Sequence, residues 1–205
     1  MLKIIMESLI FVIITLLIVS AFNKYDEEIN LAFTKRDVIF ISITSLFCSL
    51  LINIKHNNLS EVHILVCVLT VLMIIMSYTD LKTMQVYTVL DLLAIISSAI
   101  YLIYNIEQTK NFITIYPNNI ILLVNILIIV VLFITQGIGL GDSMLYFSLL
   151  LYYITNSQFG CMLFVINILI SNLIFLIVNS TKFLKDKKRK LPLVPYILLA
   201  WLLTM

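Results

Sequence analysis

Eleven side chains in this 205-residue chain are carboxylic acids, most of them in polar connections where water can solvate them. Four stand at or inside apolar runs instead: Glu7, Asp80, Asp91 and Asp142. An acid in such a place is costly and usually functional. Asp80 closes one run in Ser77-Tyr78-Thr79-Asp80-Leu81-Lys82, and Asp142 opens another in Gly137-Ile138-Gly139-Leu140-Gly141-Asp142. Two carboxyl groups at close range cannot both ionise, so they share a proton and titrate as a pair. The ionised member draws a proton from water, and the protonated member polarises a carbonyl. That is aspartic hydrolysis of a peptide bond, which needs no cofactor or metal. The same two acids equally suit a proton relay in a transporter. Residue type and spacing leave both readings open.

The elements that must position these acids follow from composition. Apolar and aromatic residues make up 62% of the chain and charged residues only 12%, too few for a water-soluble surface and too apolar for disorder. Helices are the default in lipid, where every backbone N–H needs a partner. Apolar runs of span length fall at 2–22, 38–54, 62–78, 86–104, 119–134 and 159–178, with shorter ones at 144–154 and 191–204. The expected fold is all-α: a polytopic transmembrane helix bundle of about eight spans, one domain over 1–205. The first run, with Glu7 inside it, is read as a retained span rather than a cleaved signal. The net charge of +2 gives no reason to expect nucleic acid as a partner; the lipid bilayer is the expected surrounding.

Lys and Arg set the orientation. With the N-terminus outside, the inner connections hold ten of the thirteen bases, dominated by the cluster at 182–190; Lys3, Lys55 and Lys110 lie outside. Two crossings separate Asp80 from Asp142, so both return to the same inner face. Three of the four glycines, Gly137, Gly139 and Gly141, immediately precede Asp142. Glycine permits close approach of backbone, either to an extended substrate or to a neighbouring helix.

Gly139-Leu140-Gly141-Asp142 resembles the Gly-x-Gly-Asp motif of membrane aspartic proteases, and among these the bacterial prepilin peptidase family. Asp80-Leu81-Lys82 is similar to that family's first catalytic aspartate and the basic residue after it. Lys190-Leu191-Pro192-Leu193-Val194-Pro195-Tyr196 resembles its basic, Pro-x-x-Pro-aromatic lead-in to a late helix. The three patches cover 77–196, over half the chain. The resemblance implies an aspartic endopeptidase with Asp80 and Asp142 catalytic. It would cut the short basic leader of a type IV prepilin or pseudopilin, at the cytoplasmic side of the plasma membrane, just before the substrate's apolar helix. Gly139, Gly141, Lys82 and Asp91 are the expected substrate-contacting positions. Met144 stands where the family often has Lys, and Val86-Tyr87 where it often has Ile-Pro. The connection at 23–37 lacks the Cys pairs linked to pilin N-methylation, so methyl transfer is not expected.

The remaining polar residues have plainer readings. Asp91 either positions the acid pair or the leader, or pairs with a nearby Lys or backbone group. Lys82 either tunes Asp80 or snorkels to headgroups. Glu7 falls near the outer face. Ser143 is placed to hydrogen-bond Asp142 but lacks a base that would make it a nucleophile. His56 and His63 flank an outer turn and do not suggest a metal site. Trp201 and the tyrosines read as interfacial anchors. Asn125, Asn167 and Asn172 read as interhelical hydrogen-bond partners.

Overall fold

Eight α-helices and no strand form among the residues described by the computed structural model, 2–25, 34–55, 61–109, 119–134, 139–156, 159–185 and 191–205. They are α1 (Leu2–Tyr25), α2 (Lys35–Lys55), α3 (Glu61–Thr83), α4 (Thr88–Thr109), α5 (Asn119–Ile134), α6 (Leu140–Asn156), α7 (Gly160–Lys185) and α8 (Val194–Thr204). The protein is an all-α bundle of apolar helices. Four of these, α2, α3, α4 and α7, are long and apolar enough to cross a membrane; α1, α5, α6 and α8 contribute shorter apolar stretches. With 11 residues, α8 is roughly 16 Å long at 1.5 Å per residue, about half of a hydrocarbon core. Gly137, His56 and Lys110 lie outside the described residues, as do 186–190 of the basic cluster.

The middle of the bundle is α3, whose residues from Leu69 to Asp80 are all buried. It packs on α1, α2, α4 and α8, while α6 packs on α4, α5 and α7. Trp201 is fully buried against Tyr152, which stacks on Tyr101 at 4.8 Å between centroids. It is therefore a core residue and not the interfacial anchor expected. Asn125 reaches the Cys161 carbonyl at 3.2 Å, and Asn167 donates to Tyr153 and Thr204, so both join helices as expected. Asn172 donates to the Ile168 carbonyl of its own helix at 2.8 Å and also hydrogen-bonds the Tyr146 side chain of α6, so it too joins helices.

Local chemistry fixes the helix ends that matter. Thr34 and Asp37 form a capping box at the start of α2: Asp37 Oδ2 accepts the Thr34 N–H at 2.9 Å and hydroxyl at 2.8 Å. α3 stops at Met84, which takes a left-handed φ of 56° and donates its N–H to the Asp80 carbonyl at 2.9 Å. α4 then begins after Gln85, Val86 and Tyr87, so a short turn joins the two helices. At Gly160, an added Cβ would lie 1.7 Å from the Tyr153 carbonyl oxygen, so only glycine lets α7 start against the end of α6.

Candidate functional site

Asp80 is 6% exposed in the last turn of α3. Its Oδ2 accepts the Val194 N–H at 3.0 Å, and the carboxylate is also bonded to the Leu193 backbone. The sequence of α8 explains why. Leu193, at the cap, has no side chain to satisfy the first N–H groups, and Pro195 has no N–H to offer. Asp80 thus caps α8 from another helix, and the first and third sequence patches meet at this carboxylate.

Asp142 is the third residue of α6, and its Oδ2 reaches back to the Gly139 N–H at 3.2 Å. This is the acidic half of a capping box, with glycine in place of Ser or Thr at the cap. Ser143 donates its hydroxyl to the Leu140 carbonyl at 2.7 Å, within its own helix. The two described glycines of the motif do different work. A Cβ on Gly139 would meet Asp142 Oδ2 at 3.3 Å. A Cβ on Gly141 would stand 2.9 Å from Val86 Cβ and 3.3 Å from Asp91 Oδ2. The absence of a side chain at Gly141 is what lets α6 close onto the α3–α4 turn and Asp91.

Asp91 lies in the first turn of α4 and is 1% exposed. Its Oδ1 finds no hydrogen-bond partner among the described residues, so the backbone or lysine pairing considered above is not seen for that oxygen. Asp142 is within electrostatic reach of both Asp80 and Asp91. Lys82 turns elsewhere: its ammonium binds Asp37 Oδ2 at 2.9 Å and sits 5.8 Å from the centre of the Tyr78 ring. Glu7 belongs to the opposite part of the bundle. Its neighbour Ser8 bonds Ser49 at 3.0 Å, roughly 18 Å along α2 from Asp37 at 1.5 Å per residue.

Asp80 and Asp142 line one open cavity of about 260 Å³. Gly139, Leu140 and Gly141 form one wall, and Met84, Gln85 and Val86 the other. Sequence reasoning missed this second wall. Its signal is the left-handed Met84, which turns the chain across the mouth and is visible only in the backbone. The cavity sets the two carboxyl groups on one open space, Asp142 held by the Gly139 N–H and Asp80 by the Val194 N–H. Among the described residues no cluster of three or more His, Cys, Asp or Glu side chains could hold a metal ion. No protein-family model, curated protein or solved structure matches the chain.

Proposed function

We propose that the protein is a membrane aspartic endopeptidase that removes the basic leader of a prepilin-like or pseudopilin precursor at the cytoplasmic face of the plasma membrane. The observation that carries this reading is that Asp80 and Asp142, from two separate motifs, line one cavity. The Leu193–Pro195 patch joins them through its N–H bond to Asp80. Positively charged inner connections put that end of the bundle on the cytoplasmic side, and about eight crossings, with short helices such as α8 set among longer ones, fit the same topology.

In the proposed reaction one carboxylate takes a proton from water as the water oxygen adds to the scissile carbonyl carbon. The partner carboxyl gives its proton to the carbonyl oxygen. The tetrahedral diol then collapses: one hydroxyl gives its proton to the ionised carboxylate, the C–N bond breaks, and the departing amine takes a proton from the other carboxyl group. Gly141 lets α6 close onto the α3–α4 turn, and Gly139 puts no side chain beside Asp142 in the opposite wall, so an extended backbone can lie close to it. Asp91 lies behind this wall. Lys82 serves through its bond to Asp37, which steadies the turn of α3 carrying Asp80. The reaction draws on no cofactor, and methyl transfer is not part of the proposal.

Cleavage of a co-expressed prepilin tests this directly. Asp80→Asn and Asp142→Asn should each abolish leader removal at unchanged expression. Normal processing by either variant would refute the assignment. Proton-coupled flux in reconstituted vesicles without cleavage would assign the two acids to a transporter's relay instead.

A further inference from the structure

A second cavity adjoins the acid site on the other side of the first turns of α6. It holds about 300 Å³ between Ile95 of α4, Ile129, Val130 and Phe133 of α5, and Met144 and Phe147 of α6. Its lining is almost wholly apolar, and Val130, Phe133 and Phe147 remain exposed at its edge. Ser143, the residue after Asp142, also lines it, so the groove and the acid cavity share one stretch of helix. Every lining residue lies within two turns of a helix end, about 11 Å at 1.5 Å per residue. The groove is therefore shallow, apolar and open at its exposed edge, and it begins one residue beyond Asp142.

Two features select its occupant. An apolar groove in a bundle of apolar helices, open at its side, admits something already in the bilayer. The cavity next to it along α6 is lined by Asp80 and Asp142, while Lys82 is committed to Asp37. A pair of acids beyond the groove's end repels an anionic lipid headgroup and complements a cationic flank on a peptide. Met144, where the resembled family often has Lys, keeps a charge out of the groove.

We propose that this groove seats the first turns of the substrate's apolar helix, side-on from the bilayer, so that the peptide preceding that helix lies across Gly139, Leu140 and Gly141 beside the two acids. The inference rests on the endopeptidase reading and adds where the substrate docks. It makes α5 a wall for the substrate in addition to its packing on α6 and α7.

The test uses the full chain in membranes with a co-expressed prepilin. A benzophenone amino acid is placed at Val130, and separately at Phe147, in an Asp80→Asn background that keeps the substrate uncut. Light should cross-link both positions to the prepilin. Cross-links only to lipid, or only to a second copy of the chain, would overturn the docking site even if the wild type cleaves through Asp80 and Asp142. Cross-linking to the prepilin without any cleavage by the wild type would keep the groove and refute the peptidase reading. A second variant, Val130→Trp, fills the groove. It should raise KM for the prepilin about tenfold with kcat within twofold, the retained kcat showing that the protein folds. An unchanged KM would count against the proposal.

Discussion

Gly141→Ala is the sharpest probe of how the candidate site is assembled. The new Cβ would stand 2.9 Å from Val86 Cβ, 3.5 Å from Val86 Cγ1 and 3.3 Å from Asp91 Oδ2. Val86 Cβ is fixed to the backbone, so the α3–α4 turn must move away by several tenths of an ångström. Overpacking of this kind costs about 1–3 kcal/mol. If the whole displacement is felt where the peptide binds, it corresponds to a roughly 5- to 150-fold fall in cleavage at 1.36 kcal/mol per tenfold. Gly139→Ala is the matched control. Its Cβ meets only Asp142 Oδ2, at 3.3 Å, the far end of a side chain that can rotate. Its stability cost should be about 1 kcal/mol or less, the scale of an altered helix cap, yet the carboxylate it pushes is one of the two proposed catalysts. The assay pairs thermal unfolding in detergent with prepilin cleavage. Gly141→Ala should lower both, and Gly139→Ala chiefly cleavage. A Gly141→Ala protein that melts and cleaves like the wild type would refute the packing argument.

Four further outcomes are expected. Asp80→Leu should melt lower than Asp80→Asn, because it strands the buried Val194 N–H at a cost of about 1–3 kcal/mol whereas Asn keeps an acceptor; parallel melts of the two variants decide it. Gly160→Ala should cost at least about 3 kcal/mol, since its Cβ would lie 1.7 Å from a backbone oxygen, and should show as a sharply reduced folded yield. Met84→Gly should raise the melting point by up to about 1 kcal/mol of stability, the relief of a left-handed non-glycine residue less the entropy of the new glycine. A double-mutant cycle of Asp37→Ala and Lys82→Ala should give a coupling of about 1 kcal/mol or less, because the Lys82 side chain is 34% exposed and solvent screens the pair.

The apolar runs announced the bundle, and Asp80 and Asp142, two runs apart in sequence, line one cavity. The boundaries were less legible at the site itself. The sixth helix begins at Leu140, not at Met144, because Gly141, Asp142 and Ser143 are good first-turn residues that hydropathy scores as a loop. Asp142 therefore stands inside a helix end, bonded to Gly139. The acceptor for α8 was invisible for another reason. Asp80 binds the backbone N–H of Val194, and any residue but proline presents the same group there. Lys82 shows how nearness in sequence misleads. It stands two residues from Asp80, but the capping box Thr34-x-x-Asp37 holds a carboxylate in place across the helix interface, and the ammonium goes there. Trp201 shows the limit of counting aromatics near span ends, since a short helix such as α8 places its last turn within the core.

The acids at this end share a physical device. Asp37, Asp91 and Asp142 occupy first turns of α2, α4 and α6, and Asp80 caps α8. Each helix start presents about half a positive charge and unpaired N–H groups. Only Asp37, among the described residues, also receives a lysine. The difference matters for the proposed chemistry. A full cation in contact with Asp80 or Asp142 would hold that acid ionised and compete for the shared proton on which hydrolysis depends. A helix start supplies only part of a charge and fixed N–H donors, so the carboxyl group can still hold the proton or meet the water. Capping and catalysis therefore do not compete for these residues. The bond from Gly139 and the bond from Val194 orient the two carboxyl groups toward one cavity, and the same bonds hold the starts of α6 and α8 together. That is why conservative replacement of either acid by Asn, which keeps the cap, is the substitution that separates the chemistry from the fold.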